Sequence, residues 1–249
     1  MLVAPLEQFQ ILSILPLKLF GLDFSVTNFL LMNLLILTSI FSIIYFNSSL
    51  DESSSYFVSN SWQKILELIS EITAQLISDT ITKDNNKFFP IISVLFSFIL
   101  CSNLLGLVPY SFTATSHLFV TFTLSFSVFI GINVITIKKY GLKTFSLFLP
   151  ANTSFFLALV LVPIEFVSYI AKPISLGVRL FINLMAGHTL LKVIIGFSWS
   201  MLLLENFTSF GLVIPMITLV VLFGLELGVA LIQTYVFVIL TCIYIQDGS

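Results

Sequence analysis

The sequence predicts an all-α integral membrane protein: about five membrane helices and one amphipathic surface helix in a single membrane domain, residues 1–249, with the last two helices long, oblique and paired as an antiparallel hairpin. Three observations predict it. Hydrophobic residues make up 58% of the chain and charged residues 9%, against roughly 25% charged in an ordinary soluble domain. The apolar residues gather into runs of about 20, the length of helix that crosses a hydrocarbon core of about 30 Å. Two runs toward the C-terminus are about twice as long. The 27 phenylalanines are bulk for lipid to face and do not form a cofactor box.

The elements follow in order. A first span occupies 24–46 and ends in a polar stretch, Asn47 to Asn60, that reads as loop. Over 61–79 the pattern changes. Trp62, Ile65, Leu66, Ile69, Ile72 and Leu76 recur at helical spacing, while Lys64, Glu67, Glu71, Gln75 and Asp79 take the opposite face. Such a helix lies on a membrane surface and does not cross it. A second span, Phe88 to Leu107, a turn centred on Pro109 and a third span, about Leu118 to Ile137, make a tight helical hairpin over 88–137. The remaining region, 152–246, holds the two long runs, Asn152 to Phe197 and Phe207 to Gln246. As single helices they are about 68 and 60 Å long. The first carries Glu165, Lys172, Arg179, His188 and Lys192, too many ionisable groups for two spans open to lipid. An oblique pair with its polar face turned toward protein fits them better.

Lysine placement orients the chain. Lys83 and Lys87 flank the start of the second span, and Lys138, Lys139 and Lys143 follow the third, whereas the turn at Pro109 and the loop from Trp199 to Phe207 have none. The first group faces the positive-inside compartment and the N-terminus lies opposite, with Lys18 a mild dissent. No cleavable signal with a charged leading region precedes the first span, and no internal repeat points to an inverted-repeat transporter. Cys101 and Cys242 sit in apolar runs as small hydrophobes. Zinc spacings, a GxGxxG loop, a P-loop and a nucleophile triad are all missing from the sequence, as is a nucleic-acid footprint.

The chemistry concentrates in the two long helices. Arg179 is the chain's single arginine. A guanidinium keeps its proton in a protein, and at mid-bilayer it costs at least about 2.5–3.5 kcal/mol, which marks it for function. Ser175, Arg179 and Asn183 share one helix face, with the small Ala186 and Gly187 nearby; Glu226 and Gln233, seven apart, share a face of the last helix. One antiparallel register sets Arg179 beside Gln233 and His188 close to Glu226. His188 lies half a turn from the Arg179 face, and a crossing angle between the helices would relieve that. Plainer roles stay open for the same residues. Arg179 would serve as a structural ion pair with Glu165 or Glu226, Glu226 as a buried protonated acid, and Gln233 as interhelical glue. His117 reads as a solvated loop residue, Lys172 and Lys192 as snorkelling to interfaces, and Glu205 as part of the loop joining the long helices. Two functional classes follow: proton translocation against a partner ring, or a stand-alone ion channel or secondary transporter.

The segments VPIEFVSYIAKPISLGVRLFINLMAGHTLLKV and LELGVALIQTYVFVILTCIYIQD resemble the last two helices of the a-subunit family of the rotary F-type ATP synthases, the stator partner of the c-ring. NLLGLVPYSFT, at 103–113, is similar to the family's central turn, and PLEQF near the N-terminus is similar too. The histidine-then-glutamate order resembles the mitochondrial version. The resemblance implies a subunit without ATP chemistry of its own and without cofactor or metal. It implies a multi-pass location in the mitochondrial inner membrane. Its partners would be the c-ring, other membrane-sector and peripheral-stalk subunits, and lipids, with protons as the translocated ion. Position by position, Arg179 matches the arginine that faces the ring carboxylate and separates two half-channels. His188 and Glu226 match the polar pair of the intermembrane-side half-channel, Asn183 and Gln233 the arginine's polar neighbours, and Glu165 the acid of the matrix-side half-channel. Ile182 departs from the alanine or glycine usual in the family.

Overall fold

The computed structural model describes residues 9–19, 22–51, 61–80, 85–108, 111–141, 155–202 and 209–248. Six helices dominate: α1 (Asn28–Asp51), α2 (Ser61–Thr80), α3 (Asn85–Gly106), α4 (Leu118–Tyr140), α5 (Phe155–Leu202) and α6 (Ser209–Gly248). All but α2 are long and apolar enough to cross a membrane. A short 3₁₀ turn, Ala114–Ser116, precedes α4.

Before α1 the chain forms two small antiparallel pairs that the helical reading of the sequence did not anticipate. β1 (Ser13–Leu15) pairs with β4 (Val26–Thr27), and β2 (Lys18–Leu19) pairs with β3 (Leu22–Asp23). The first membrane helix therefore starts at Asn28 and not at Phe24. Thr27 accepts a hydrogen bond from the Leu30 N–H at 3.4 Å, meeting one of the donors that a helix start leaves orphaned. At its other end α1 runs through 47–51, residues expected to be loop; 52–60 lie outside the described residues. So do the Pro109 turn, Lys83, Lys143 and Glu205. The helix α4 stops at Gly141, whose φ of 56° lets its N–H reach back to the Ile137 carbonyl.

On α2, Lys64, Glu67, Glu71, Gln75 and Asp79 are all exposed, as the periodicity requires. The inner face is centred on Thr73, Leu76 and Ile77; Ile65, assigned to that face by spacing, is exposed. Leu76 and Ile77 join Ile92 and Phe96 of α3, Ile132 of α4 and Val238, Cys242 and Ile245 of α6 in the main core cluster. A second cluster joins Ile99, Leu176, Leu180 and Phe237. The predicted tight hairpin over 88–137 is looser than expected, because both arms lean on α6: α3 packs on α6, α2 and α1, and α4 on α5 and α6. The contact face of α6, with Ala230, Thr234, Val238 and Cys242, is small or slender enough to let them approach.

Of the run predicted from Asn152 to Phe197, the described part from Phe155 onward lies in one continuous helix and not two separate spans. With 48 residues, α5 is about 72 Å long; α6, with 40, is about 60 Å. Each is about twice as long as a hydrocarbon slab of about 30 Å is thick. Their partner α4 approaches α5 where Gly177 lies over the Thr121 carbonyl and Ser125 hydroxyl, positions a Cβ would meet at 3.0 and 2.7 Å. Serine and threonine hydroxyls along these helices mostly return to their own backbone, as Ser125 does to the Phe122 carbonyl at 3.0 Å and Thr136 to that of Ile132 at 2.9 Å, leaving the apolar exterior undisturbed.

Candidate functional site

The antiparallel α5–α6 pair brings four of the six predicted site residues together. Asn183 donates from Nδ2 to Gln233 Oε1 at 2.9 Å. Further along, His188 Nδ1 stands 3.6 Å from Glu226 Oε1, and their side chains are only 11% and 6% exposed. Gly187 explains the approach. A Cβ there would lie 2.7 Å from Glu226 Oε1 and 3.0 Å from its carboxyl carbon, so the missing side chain is what seats the carboxyl against α5. With Glu226 over Gly187, the neighbouring His188 reaches it sideways, which resolves the half-turn mismatch noted from the sequence. Of the two predicted pairs, His188 does lie beside Glu226, whereas the hydrogen-bond partner of Gln233 is Asn183, one turn from Arg179.

Arg179 has a different environment. It is exposed, alongside Ser175 and Ile182, and among the described residues it makes no ion pair with Glu165 or Glu226. The guanidinium is held out from the bundle on a face whose other members are small or apolar. Leu180 and Leu184 of the same helix, 1% and 4% exposed, point the opposite way into the core and so fix Arg179 outward. Ile182, at 51%, adds bulk to that open face one turn along.

The other end of α5 carries Glu165. It is half-buried, and its Oε2 is fully covered without a hydrogen-bond partner. One turn on, the Tyr169 hydroxyl donates to Asn133 Oδ1 of α4. The Lys172 ammonium lies 5.0 Å from the Tyr244 ring of α6 and 5.9 Å from the Tyr169 ring, a cation held by aromatic faces.

Several polar residues at the Glu226 end were not singled out by the sequence. Asn103 of α3 donates from Nδ2 to Thr234 Oγ1 at 3.1 Å and to the Ala230 carbonyl at 3.4 Å, fastening α3 to α6 at the level of Gln233. The Thr113 and Thr115 hydroxyls are buried in the segment leading to α4. His117 is not a solvated loop residue. Its ring lies 5.1 Å from Phe112 and edge-on to Phe29 at 6.1 Å, and burial pushes its pKa below the usual histidine range. The available signal was composition: Asn103 through His117 carries one amide and five hydroxyl groups within an apolar stretch. Among the described residues, buried atoms without a hydrogen-bond partner gather here: Asn103 Oδ1, Thr113 Oγ1, Thr115 Oγ1, His117 Nε2, His188 Nε2, both Glu226 oxygens and Gln233 Nε2. Native proteins meet such atoms with ordered water, so this end of the hairpin has the donors and acceptors of a hydrated path. No group of three or more histidine, cysteine, aspartate or glutamate side chains among the described residues could hold a metal.

Comparison with known proteins agrees with this architecture. The family model described as "ATP synthase A chain" matches residues 28–246. The chain is 49% identical over 245 residues to the ATP synthase subunit a of Pylaiella littoralis, covering 98% of this chain and 97% of that one. It is 44% identical over 246 residues to that of Chondrus crispus, covering 99% and 96%, and 42% identical over 251 residues to that of Marchantia polymorpha, covering 100% and 98%. With the family model spanning α1 to the end of α6, and relatives this similar over nearly their full lengths, the chain belongs to the ATP synthase A chain family.

Proposed function

We propose that the chain is the proton-conducting stator of an F-type ATP synthase membrane sector, working against a c-ring and held by peripheral-stalk subunits in the mitochondrial inner membrane. One observation supports this above the others. A buried pair, His188 of α5 and Glu226 of α6, lies on a different side of α5 from Arg179, an outward-facing arginine without a counterion among the described residues. A proton moves inward along groups that exchange it, while the arginine waits on the outer face for a carboxylate this chain does not itself present there.

The chemistry follows from those positions. A permanent cation favours the ionised form of any carboxylate brought beside it. A rotor carboxylate arriving protonated at Arg179 must release its proton, and after passing it must be reprotonated before re-entering lipid. If release and uptake open to opposite compartments, the ring turns one way. His188 and Glu226 serve one access path, since both gain and lose protons and the unpartnered polar atoms around them bind water. Glu165, with its covered Oε2, serves the other. Asn183 and Gln233 hold each other between the two, keeping the hairpin closed behind the arginine. The electrical part of the gradient supplies about 2.3 kcal/mol per proton per 100 mV.

A stand-alone channel or transporter would use the same intramembrane charges without a partner. Reconstitution separates the two readings. Liposomes holding this chain alone should show no proton conductance above lipid, and conductance should appear when a c-type ring is added. Full conductance from the chain alone overturns the stator reading.

A further inference from the structure

The PLEQF motif has no part in the proton path described above, yet its last residue touches that path. The Phe9 ring lies edge-on to the His188 ring, centroids 6.4 Å apart and planes inclined at 63°. Phe9 is half-buried, while the apolar side chains that follow it, Ile11, Leu12, Ile14 and Leu15, are 54–63% exposed. The segment thus turns one aromatic inward and leaves the rest outside.

Its position is fixed by Asn28 at the start of α1. Asn28 Nδ2 donates to the Gln10 carbonyl at 3.1 Å and its Oδ1 accepts from the Leu12 N–H at 3.2 Å. The Asn28 N–H donates in turn to the Leu12 carbonyl at 3.1 Å, and the next residue, Ser13, pairs with Thr27. Gln10 to Ser13 are therefore tied to the top of α1, and Phe9 is the first residue beyond the tie. Phe29, one residue past Asn28, sits edge-on to His117, so the same corner of the fold reaches both histidines.

We infer that Phe9 is a positioning residue of the proton path, holding the His188 ring so that Nδ1 faces Glu226, with the Asn28 tie as its anchor. The inference rests on the reading of His188 and Glu226 as proton carriers. The geometry makes the role specific. His188 is held on one side by Glu226 and on another by Phe9, and among the described residues its Nε2 has no hydrogen-bond partner, so none of them fixes the ring at the far nitrogen. An edge-to-face contact between rings biases orientation about two- to tenfold. Without Phe9 the imidazole would rotate about its last torsion, which has broad wells, and present carbon instead of Nδ1 to the carboxyl.

The test is proton-driven ATP synthesis in vesicles holding the whole complex, normalised to assembled enzyme. Phe9→Ala should lower the rate about two- to tenfold, and Phe9→Leu, which fills similar space without a ring, should fall with it. Phe9→Tyr, which keeps the ring, should restore the rate. Asn28→Ala should move it in the same direction as Phe9→Ala. In a His188→Gln background Phe9→Ala should cost nothing further, because contacts acting through one group are not additive. A normal rate in Phe9→Leu, or a full additional loss from Phe9→Ala in the His188→Gln background, overturns the inference. A normal rate in His188→Gln alone overturns the underlying path and is recognisable without any Phe9 variant.

Discussion

The two ends of the α5–α6 hairpin are built on different principles. At the Glu226 end, polar groups from α3, α5 and α6 converge and are buried, yet their hydrogen bonding is left incomplete: Asn183 holds Gln233 and Asn103 holds Thr234, while both Glu226 oxygens lack a partner. At the Glu165 end, aromatic rings organise the site, with Tyr169 on Asn133 and Lys172 between Tyr244 and Tyr169. The first end is a buried polar interior with unsatisfied hydrogen-bonding groups; the second is a carboxyl at a half-open edge beside a cation fixed by rings. The difference teaches that one helix can serve two compartments without symmetry, provided something separates its ends.

In the proposed mechanism Arg179 is that separator, and removing it should have the largest effect. Arg179→Ala should abolish proton-driven ATP synthesis while passive proton leak per assembled complex persists or rises, because both ends survive and the barrier between them does not. Arg179→Lys keeps a charge but loses the planar fork and the fixed protonation, and should also fail to support synthesis. An arginine needed only for folding would instead lower leak in step with the amount of complex.

Next in size is the Glu226 end. Glu226→Gln keeps shape and removes only the titratable proton, so synthesis should drop at least about tenfold with assembly intact, a modest share of what a positioned proton carrier supplies. Unchanged turnover would make the two ends alike in being structural. Gly187→Ala is a subtler disturbance of the same place. The new methyl meets Glu226 Oε1 at 2.7 Å, so the carboxyl must shift away from α5; a several-fold loss is expected, and a normal rate would show that its seat on Gly187 does not matter.

The smallest effect should come from Glu165→Gln. That carboxyl is half-buried at an edge, where water can take over part of its work, and a loss of about two- to threefold is expected. A loss equal to that of Glu226→Gln would erase the contrast between the ends.

The sequence made the helices legible because lipid imposes a single rule, about 20 apolar residues per crossing, and runs twice that length announced the long pair. It made Arg179 legible by cost alone. What stayed hidden depended on three-dimensional neighbours. The pairing of Asn183 with Gln233 and the seat of Glu226 on Gly187 were not anticipated, and a glycine shows its purpose only once its neighbour is known. Asn103 gave no warning beyond being an amide in an apolar run, and Phe9 was one phenylalanine among many. The strands before α1 are short pairings closed by Asn28, and nothing in their periodicity sets them apart from the apolar run that follows.

The tilt of α5 has an electrical consequence. Its apolar stretch, Leu159–Met201, is 43 residues, about 64 Å; held within about 30 Å of hydrocarbon, as the proposed oblique placement requires, it would rise only about half an ångström across the membrane per ångström of length. Glu165 and His188 are about 34 Å apart along the axis but only about 16 Å apart in depth. If both ends are wetted, the full membrane voltage falls across that shorter gap, roughly doubling the local field. Arg179 stands inside the gap, so a ring carboxylate beside it would feel a steeper voltage than an upright helix of ordinary length could arrange.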